Sequence, residues 1–453
     1  MSKIITLLLA LALVASSTAM VLPVNAEPRT LVVPDDYPTV SLAIQNAVAG
    51  DNIYVKQGIY YERLLDLNKS ISLIGDDAGK TVLYLNPPQV KTLYLHNWLW
   101  IPASAITINA NDVKLQGLTI NLPNDDYGVG SGIYAKGDRV TFVNNEVSNR
   151  SIYLQGSMLN ITGNSLPATL EVVGSNQVVA DNLIRDNLKI QGSSNLISGN
   201  KLTSDYAFSG IHLNGSFNYI IGNSFPSMEI DDSKSNFIVD NSFGRLALQE
   251  FGHGGCLDSV ISKNHITGNG AVNDGIHLWQ GSNNTFSANI ILNCQYGLSI
   301  GNEATQNSVY LNNFYNNTEQ HITCSNLTEN RFDNGVKGNY YDDYKGTDGN
   351  WDGVGDSPYA IQEIHWEEEL QREVTVVYFQ DNLPLMAPFD IDSVNIQLPD
   401  WASASSNLSP VHQTSEPFPI TLVTVSVIAA VGVAVVGVGL LFYIKRCRGD
   451  KRS

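Results

Sequence analysis

Glu229 and Asp231 stand two positions apart, and His212 falls one repeat unit before them. Residues two apart on a strand share a face. Two carboxyls at ~6.5–9.5 Å can activate a water and protonate a leaving glycosidic oxygen, with ~5–5.5 Å the alternative spacing. This is one pair in a chain with 44 acidic residues, so it does not by itself assign catalysis. His253-x-x-Cys256 supplies two ligands, whereas a structural zinc site uses four. Asp348, Asn350, Asp352 and Asp356 place oxygen donors at alternate positions around Gly353, the ligand logic of a calcium loop. Tyr359 replaces the bidentate Glu at position 12, and Asp342 and Asp343 are available to complete the shell. The competing reading of that stretch is a solvated acidic glycine turn.

A repeat must position these groups. Its template is Asn, an apolar residue two later, a second Asn three after that, and another apolar residue two later, as in Asn195-Leu196-Ile197-Ser198-Gly199-Asn200-Lys201-Leu202. The second Asn falls at 145, 164, 182, 200, 223, 241, 264, 289, 312 and 330, with Gln116 in that place one unit earlier; the mean interval is about 21 residues. Short alternating segments such as Leu188-Lys189-Ile190 and Ile276-His277-Leu278 lie between the copies and read as strands with one buried face. A leucine-rich repeat shares the period but needs a helix or extended segment on its convex side. Here the connectors are turns, so the expected fold is all-β: a parallel β-helix solenoid of one chain, right-handed because parallel crossovers favour that hand. Thr39 can N-cap a short helix with Val40, Ala43, Ile44 and Ala47 apolar and Gly50 as a stop, read as the plug on the first coil.

Stacked coils put Tyr134, Tyr153, Glu171, Lys189, His212, Glu229, Ala247, His277, Ser299 and Thr323 in one outward column. Lys136, Gln155, Val173, Gln191, Asn214, Asp231, Gln249 and Trp279 form the next. The resulting strip holds Glu171, Lys189, His212, Glu229, Asp231, His277 and Trp279, a polar floor with an aromatic platform that suits sugars. Any outward strand face is also polar simply because it meets water. Insertions at 121–131, 203–209 and 267–274 share one flank of the strip and are expected to form its wall.

The chain's ends and composition bear on location and partners. Residues 1–26 read as a secretory signal with Lys3, an apolar stretch and a Val24-Asn25-Ala26 cleavage site. Residues 420–444 carry no charge and are long enough to span a bilayer as one helix, and the basic tail 445–453 follows. The expected organisation is solenoid with cap over 27–335, C-terminal cap over 336–390, stalk over 391–419, span and cytoplasmic tail, with the ectodomain extracellular at the cell membrane. Sequons at Asn68, Asn149, Asn160, Asn214, Asn283, Asn316, Asn326 and Asn407 agree with an exterior glycoprotein. Three cysteines, Cys256, Cys294 and Cys324, precede the span, too few for a disulfide scaffold. A net charge of −18 argues against a nucleic-acid partner.

Val33-Pro34-Asp35-Asp36-Tyr37-Pro38-Thr39-Val40, Gly50-Asp51-x-Ile53-x-Val55 and Gly58-x-Tyr60-Tyr61-Glu62 resemble the opening of pectin-lyase-like right-handed β-helix proteins. Gly338-Asn339-Tyr340-Tyr341-Asp342-Asp343-Tyr344, the stretch Gly353 to Tyr359, and Asp381-Asn382-Leu383-Pro384-Leu385-Met386 are similar to the NosD-type branch. The resemblance implies the fold but no single activity, because the superfamily spans lyases, hydrolases, esterases and non-catalytic proteins. The paired-Asp and Asp-plus-His patterns of its polygalacturonases are not visible as motifs, nor is a lyase's calcium-plus-Arg arrangement. Copper, which the NosD founder helps to load, is not carried over, because the chain has eight His, five Met and no tract rich in either. Three functions compete: a surface module binding polysaccharide or glycoprotein, an anchored polysaccharide hydrolase or lyase, and a structural envelope component.

Overall fold

Alternating apolar and polar residues become three stacked columns of short parallel strands. The computed structural model describes residues 27–395 apart from 95–96, 103, 123–130, 205–208, 250–254, 269–273, 325–328 and 368–371. The first column has 13 strands, from Thr30–Val33 and Asn52–Val55 to Ser308–Tyr310. The second runs from Gly58–Glu62 and Thr81–Leu85 to Tyr340–Tyr341, and the third from Leu65–Leu67 and Ile106–Ile108 to Gln320–Cys324. Most coils contribute one strand to each column, and Ser224–Asp231 and Ser242–Gln249 each run through both the second and the third. Inward residues stack on their equivalents, so that Ile53, Leu73, Leu115, Phe142 and Ile161 form one apolar ladder with no exposure. Burying each such side chain contributes roughly 1.5–3 kcal/mol.

The corner after the first column explains the recurring asparagine. One residue there is left-handed in coil after coil, including Asn144, Gly163, Asp181, Gly199, Gly222 and Asp240. Gly199 has φ 62°, and a Cβ there would lie 2.3 Å from Asp181 Oδ1. The residue after each is a fully enclosed Asn. Asn223 Nδ2 donates to Ile197 O at 2.9 Å, Ile221 O at 3.1 Å and Asn241 Oδ1 at 2.9 Å. Its Oδ1 accepts from Asn200 N at 2.9 Å and Asn200 Nδ2 at 3.0 Å. The same pattern joins Asn145, Asn164, Asn182, Asn200, Asn223, Asn241, Asn264, Asn289, Asn312 and Asn339. A second ladder starts at Gln177 and runs through Asn195, Asn218, Asn236, Ser259, Asn284, Asn307 and Asn330.

Two assignments from the repeat are therefore corrected. Asn330 continues the second ladder, and the residue after Asn312 in the first is Asn339. Gln116 pairs with Val143, and Leu118 occupies the place equivalent to Asn145. The solenoid also continues beyond residue 335, because Tyr340–Tyr341 pairs with Asn313 and Phe314. Two antiparallel hairpins, Gln89–Tyr94 with Asn97–Pro102 and Tyr359–Glu367 with Arg372–Asp381, were not legible as such.

The segment after Thr39 forms a helix, Val40–Asn46, with Thr39 Oγ1 accepting from Leu42 N. Its buried Val40, Ala43 and Ile44 join the core, and Glu62 Oε1 accepts from Val40 N at 2.7 Å. At the other end a buried carboxylate terminates the first ladder. Asn339 N and Nδ2 donate to Asp381 Oδ2 at 2.7 and 3.1 Å, and Tyr341 OH donates to it at 3.2 Å. Burial raises the Asp381 pKa to about 6.

The expected placement at the cell membrane is corrected. No helix among the described residues is long and apolar enough to cross a membrane. The segment 420–444 on which that placement rested lies outside the described residues, as do the signal 1–26, the stalk from 396, the tail 445–453, His253, Asn326 and Asn407.

Candidate functional site on the third face

Strand register sets the outward column of the third face. Tyr134 pairs with Tyr153, Tyr153 with Glu171, Glu171 with Lys189, Lys189 with His212, and His212 with Glu229. Glu229 pairs with Ala247, Ala247 with His277, His277 with Ser299, and Ser299 with Thr323. The alignment is the one the repeat predicts, but the column is not uniformly exposed. Ala247 and Ser299 are buried. Ala247 is too short to reach solvent between Glu229 and His277, so the floor divides into two parts.

The first part gathers His212, Glu229 and Asp231. His212 Nδ1 lies 3.2 Å from Glu229 Oε2. Arg245, which the sequence reading missed, brings Nη1 to 4.0 Å from Glu229 Oε1. Asp231 is the neighbouring outward residue, and its Oδ1 is buried with no hydrogen-bond partner. Burial raises the Asp231 pKa, with the nearby Glu229 charge adding to the effect. Glu171 lies farther down the strip and accepts a 3.4 Å bond from Gln191 Nε2, while Lys189 is exposed on the coil between.

The second part is a depression of about 490 Å³ around Trp279. The indole is 62% exposed and stacks on His277, with ring centroids 5.5 Å apart. His277 Nδ1 is hydrogen-bonded to Asp274 Oδ2, and Asn302, Glu303 and Thr323 complete the polar rim. Asp274 was foreseen only as the end of a wall segment. Its signal was the spacing of three before an outward His.

The wall segments share one corner. Those at 121–131, 203–209 and 267–274 each follow a second-column strand, Thr119–Asn121, Lys201–Leu202 or His265–Thr267, and precede a third-column strand. Their central residues lie outside the described set. The hairpin over 89–102 is inserted at the same corner, between Thr81–Leu85 and Ile106–Ile108.

The remaining predicted groups sit elsewhere. Asp348, Asn350, Asp352 and Asp356 share one exposed turn. Asp348 Oδ2 accepts from Gly353 N at 2.9 Å, Asp352 Oδ1 from Val354 N at 2.8 Å and Asp356 Oδ2 from Gly349 N at 2.8 Å. Asp342 and Asp343 face His321 instead, at 3.0 and 3.3 Å from its Nε2. Asn317 Nδ2 lies 3.0 Å from His321 Nδ1, on the side of the ring away from the carboxylates. These contacts tie Gln320–Cys324 to the segment 340–344. The hydrogen bond from His321 lowers the Asp343 pKa. Among the six described sequon asparagines none is buried.

Residues 230–346 match the NosD family model, described as a periplasmic copper-binding protein. Comparison with curated proteins gives no match. Among solved structures the chain is similar to the A-module of the Azotobacter vinelandii mannuronan C-5 epimerase AlgE6, at 13% identity over 65% of this chain and 94% of that one, TM-score 0.47. It is similar to a family 28 exopolygalacturonase of Yersinia enterocolitica, at 13% identity over 68% and 79%, TM-score 0.45. It is also similar to a PL6 alginate lyase in complex with a trisaccharide, at 12% identity over 69% and 85%, TM-score 0.41.

The donor set does not fit copper. Cys256, Cys294 and Cys324 are buried in the core, and burial raises the Cys256 and Cys294 thiols to about 11. Those two thiols stay protonated, whereas a metal ligand must be a thiolate. No Met lies between 230 and 346, and His277 and His321 are each engaged with carboxylates. With its three stacked parallel columns the chain is a parallel β-helix protein, and its residues 230–346 are similar to the NosD family.

Proposed function

We propose that the third face binds an extended polysaccharide, with the depression at Trp279 as its anchoring subsite. One observation carries this reading: a large apolar ring stands 62% exposed in a concave place, beside His277, Asp274 and Glu303. Water is a poor neighbour for an indole, and a pyranose covers it with C–H groups while its hydroxyls meet the polar rim. Pockets that combine an apolar floor with a few placed polar groups are the usual form of a small-molecule site. In the same proposal the helix Val40–Asn46 covers the end of the solenoid and protects the first coil from pairing with another chain.

Polysaccharide hydrolysis is the second reading, favoured by Asp231. A carboxyl with a raised pKa beside an Arg- and His-paired Glu229 is the pairing of unlike carboxyls that acid–base chemistry uses.

A glycan array on the full chain finds the ligand, and titration of variants locates it. Trp279→Ala and Glu229→Gln are expected to weaken the same ligand tenfold to a hundredfold, as ~1.5–3 kcal/mol per lost contact implies. Unchanged affinity in both variants would remove the third face as the site. Retained binding in Glu229→Gln with loss of product formation establishes the hydrolytic reading instead.

A further inference from the structure

A second aromatic depression lies far from Trp279. Tyr61 and Tyr84 are register partners on adjacent coils of the second face, and Asn121 follows Tyr84. Their rings stack at 5.3 Å and 19°. They are nevertheless 76% and 43% exposed. Stacking two large rings in solvent leaves an apolar platform that the fold itself does not cover. Arg63, Asn86, Asn121 and Asn149 surround it, in a space of about 680 Å³.

Arg63 is the cation that lines this platform. Glu62 also lines it, but its carboxylate accepts from Val40 N at 2.7 Å and from Ser41 N at 3.4 Å, at the start of the helix. Arg63 is exposed and forms no ion pair among the described residues. An unpaired guanidinium beside an aromatic floor fits a sugar ring that carries a carboxylate or sulfate, since Arg grips such oxygens with two parallel N–H bonds.

We infer that Tyr61, Tyr84 and Arg63 form a second subsite, selective for negatively charged sugar units, on the same polymer that occupies Trp279. This inference rests on the proposed polysaccharide binding and extends it to two-point attachment. From the coil of Thr81–Leu85 and Ile106–Ile108 to that of Ile276–Ser282 is eight coil steps. At ~4.8 Å per step the subsites are about 40 Å apart along the solenoid axis, on neighbouring faces. A long chain reaches both, whereas a trisaccharide occupies one at a time. Two-point attachment then raises affinity by about 10²–10⁴ without any new contact.

The test titrates the full chain with polygalacturonate and with its trimer, in wild type and in Tyr61→Ala, Arg63→Gln and Trp279→Ala. Wild type is expected to bind polymer at least a hundredfold more tightly than trimer. Each variant should reduce polymer affinity at least tenfold, with the Arg63→Gln loss shrinking as salt is raised. If Trp279→Ala weakens the polymer while Tyr61→Ala and Arg63→Gln bind as wild type, the second subsite is wrong and the site on the third face stands. If only the Tyr61 and Arg63 changes matter, two-point attachment fails together with the Trp279 assignment. Absence of binding to the polyuronate, with binding to a neutral glycan on the array, overturns the charge selectivity.

Discussion

Asn223→Ala lowers the free energy of unfolding by about 3–5 kcal/mol in urea titration, whereas Asn68→Ala changes it by less than about 0.5 kcal/mol. Both remove one asparagine amide, and the difference lies in what each amide holds. Asn223 is buried in mid-ladder, and its side chain satisfies Ile197 O, Asn241 Oδ1 and the Asn200 N–H. Truncation leaves the Asn200 N–H enclosed without its acceptor and strips Ile197 O and Asn241 Oδ1 of one donor each, although Asn241 Oδ1 keeps the backbone N–H of residue 223; an enclosed group left unpaired costs about 1–3 kcal/mol before relaxation. Asn68 is exposed, and water replaces its contacts. Each coil touches only its neighbours, so a broken rung also weakens the stacking of the coils on either side. Equal effects for the two variants would mean that the apolar ladders alone hold the coils in register.

Asp381 gives the second large effect, as a dependence on pH. Burial raises its pKa from 3.8 to about 6 in the folded chain. The folded state therefore keeps this proton to higher pH than the unfolded state. The stability linked to it is full below pH 3.8 and is lost as pH rises through about 6. A difference of about two units corresponds to roughly 3 kcal/mol. Asp381→Asn has no proton to lose. Its amide leaves one donor among Asn339 N, Tyr341 OH and Leu383 N facing an NH₂ group, which adds a constant offset. Between pH 4 and pH 8 the stability of Asp381→Asn relative to wild type should therefore rise by about 2.5 kcal/mol, whatever the offset. Asp51 acts in the opposite direction: hydrogen bonding to Arg29 lowers its pKa to about 2, so its contribution is lost only as pH falls below 3.8, outside that scan. Parallel pH profiles for wild type and Asp381→Asn would show that Asp381 is not held in this way.

The repeat was legible because a stacked coil demands the same kind of residue at the same place each time. That is why the column from Tyr134 to Thr323, read from the repeat, agrees with the strand register. The errors have equally physical origins. Two ladders run five residues apart, as in Asn195 with Asn200 and Asn307 with Asn312, so an unequal insertion transfers the count from one to the other at Asn330. Ala247 faces outward by register yet is buried by its size. Arg245 and Asp274 join the site through side-chain reach, which alternation does not encode. Asp381 meets Asn339 from 42 positions away through a hairpin that has no counterpart in the repeat.

Oxidative footprinting of the full chain, with and without the polysaccharide identified on the array, tests binding at the third face most directly. Trp279 and Trp351 are both exposed, at 62% and 89%, and only Trp279 lies in the proposed site. Bound polysaccharide is expected to suppress oxidation of Trp279 severalfold and to leave Trp351 unchanged. Saturating polysaccharide with Trp279 oxidised as fast as in the free protein would contradict the account.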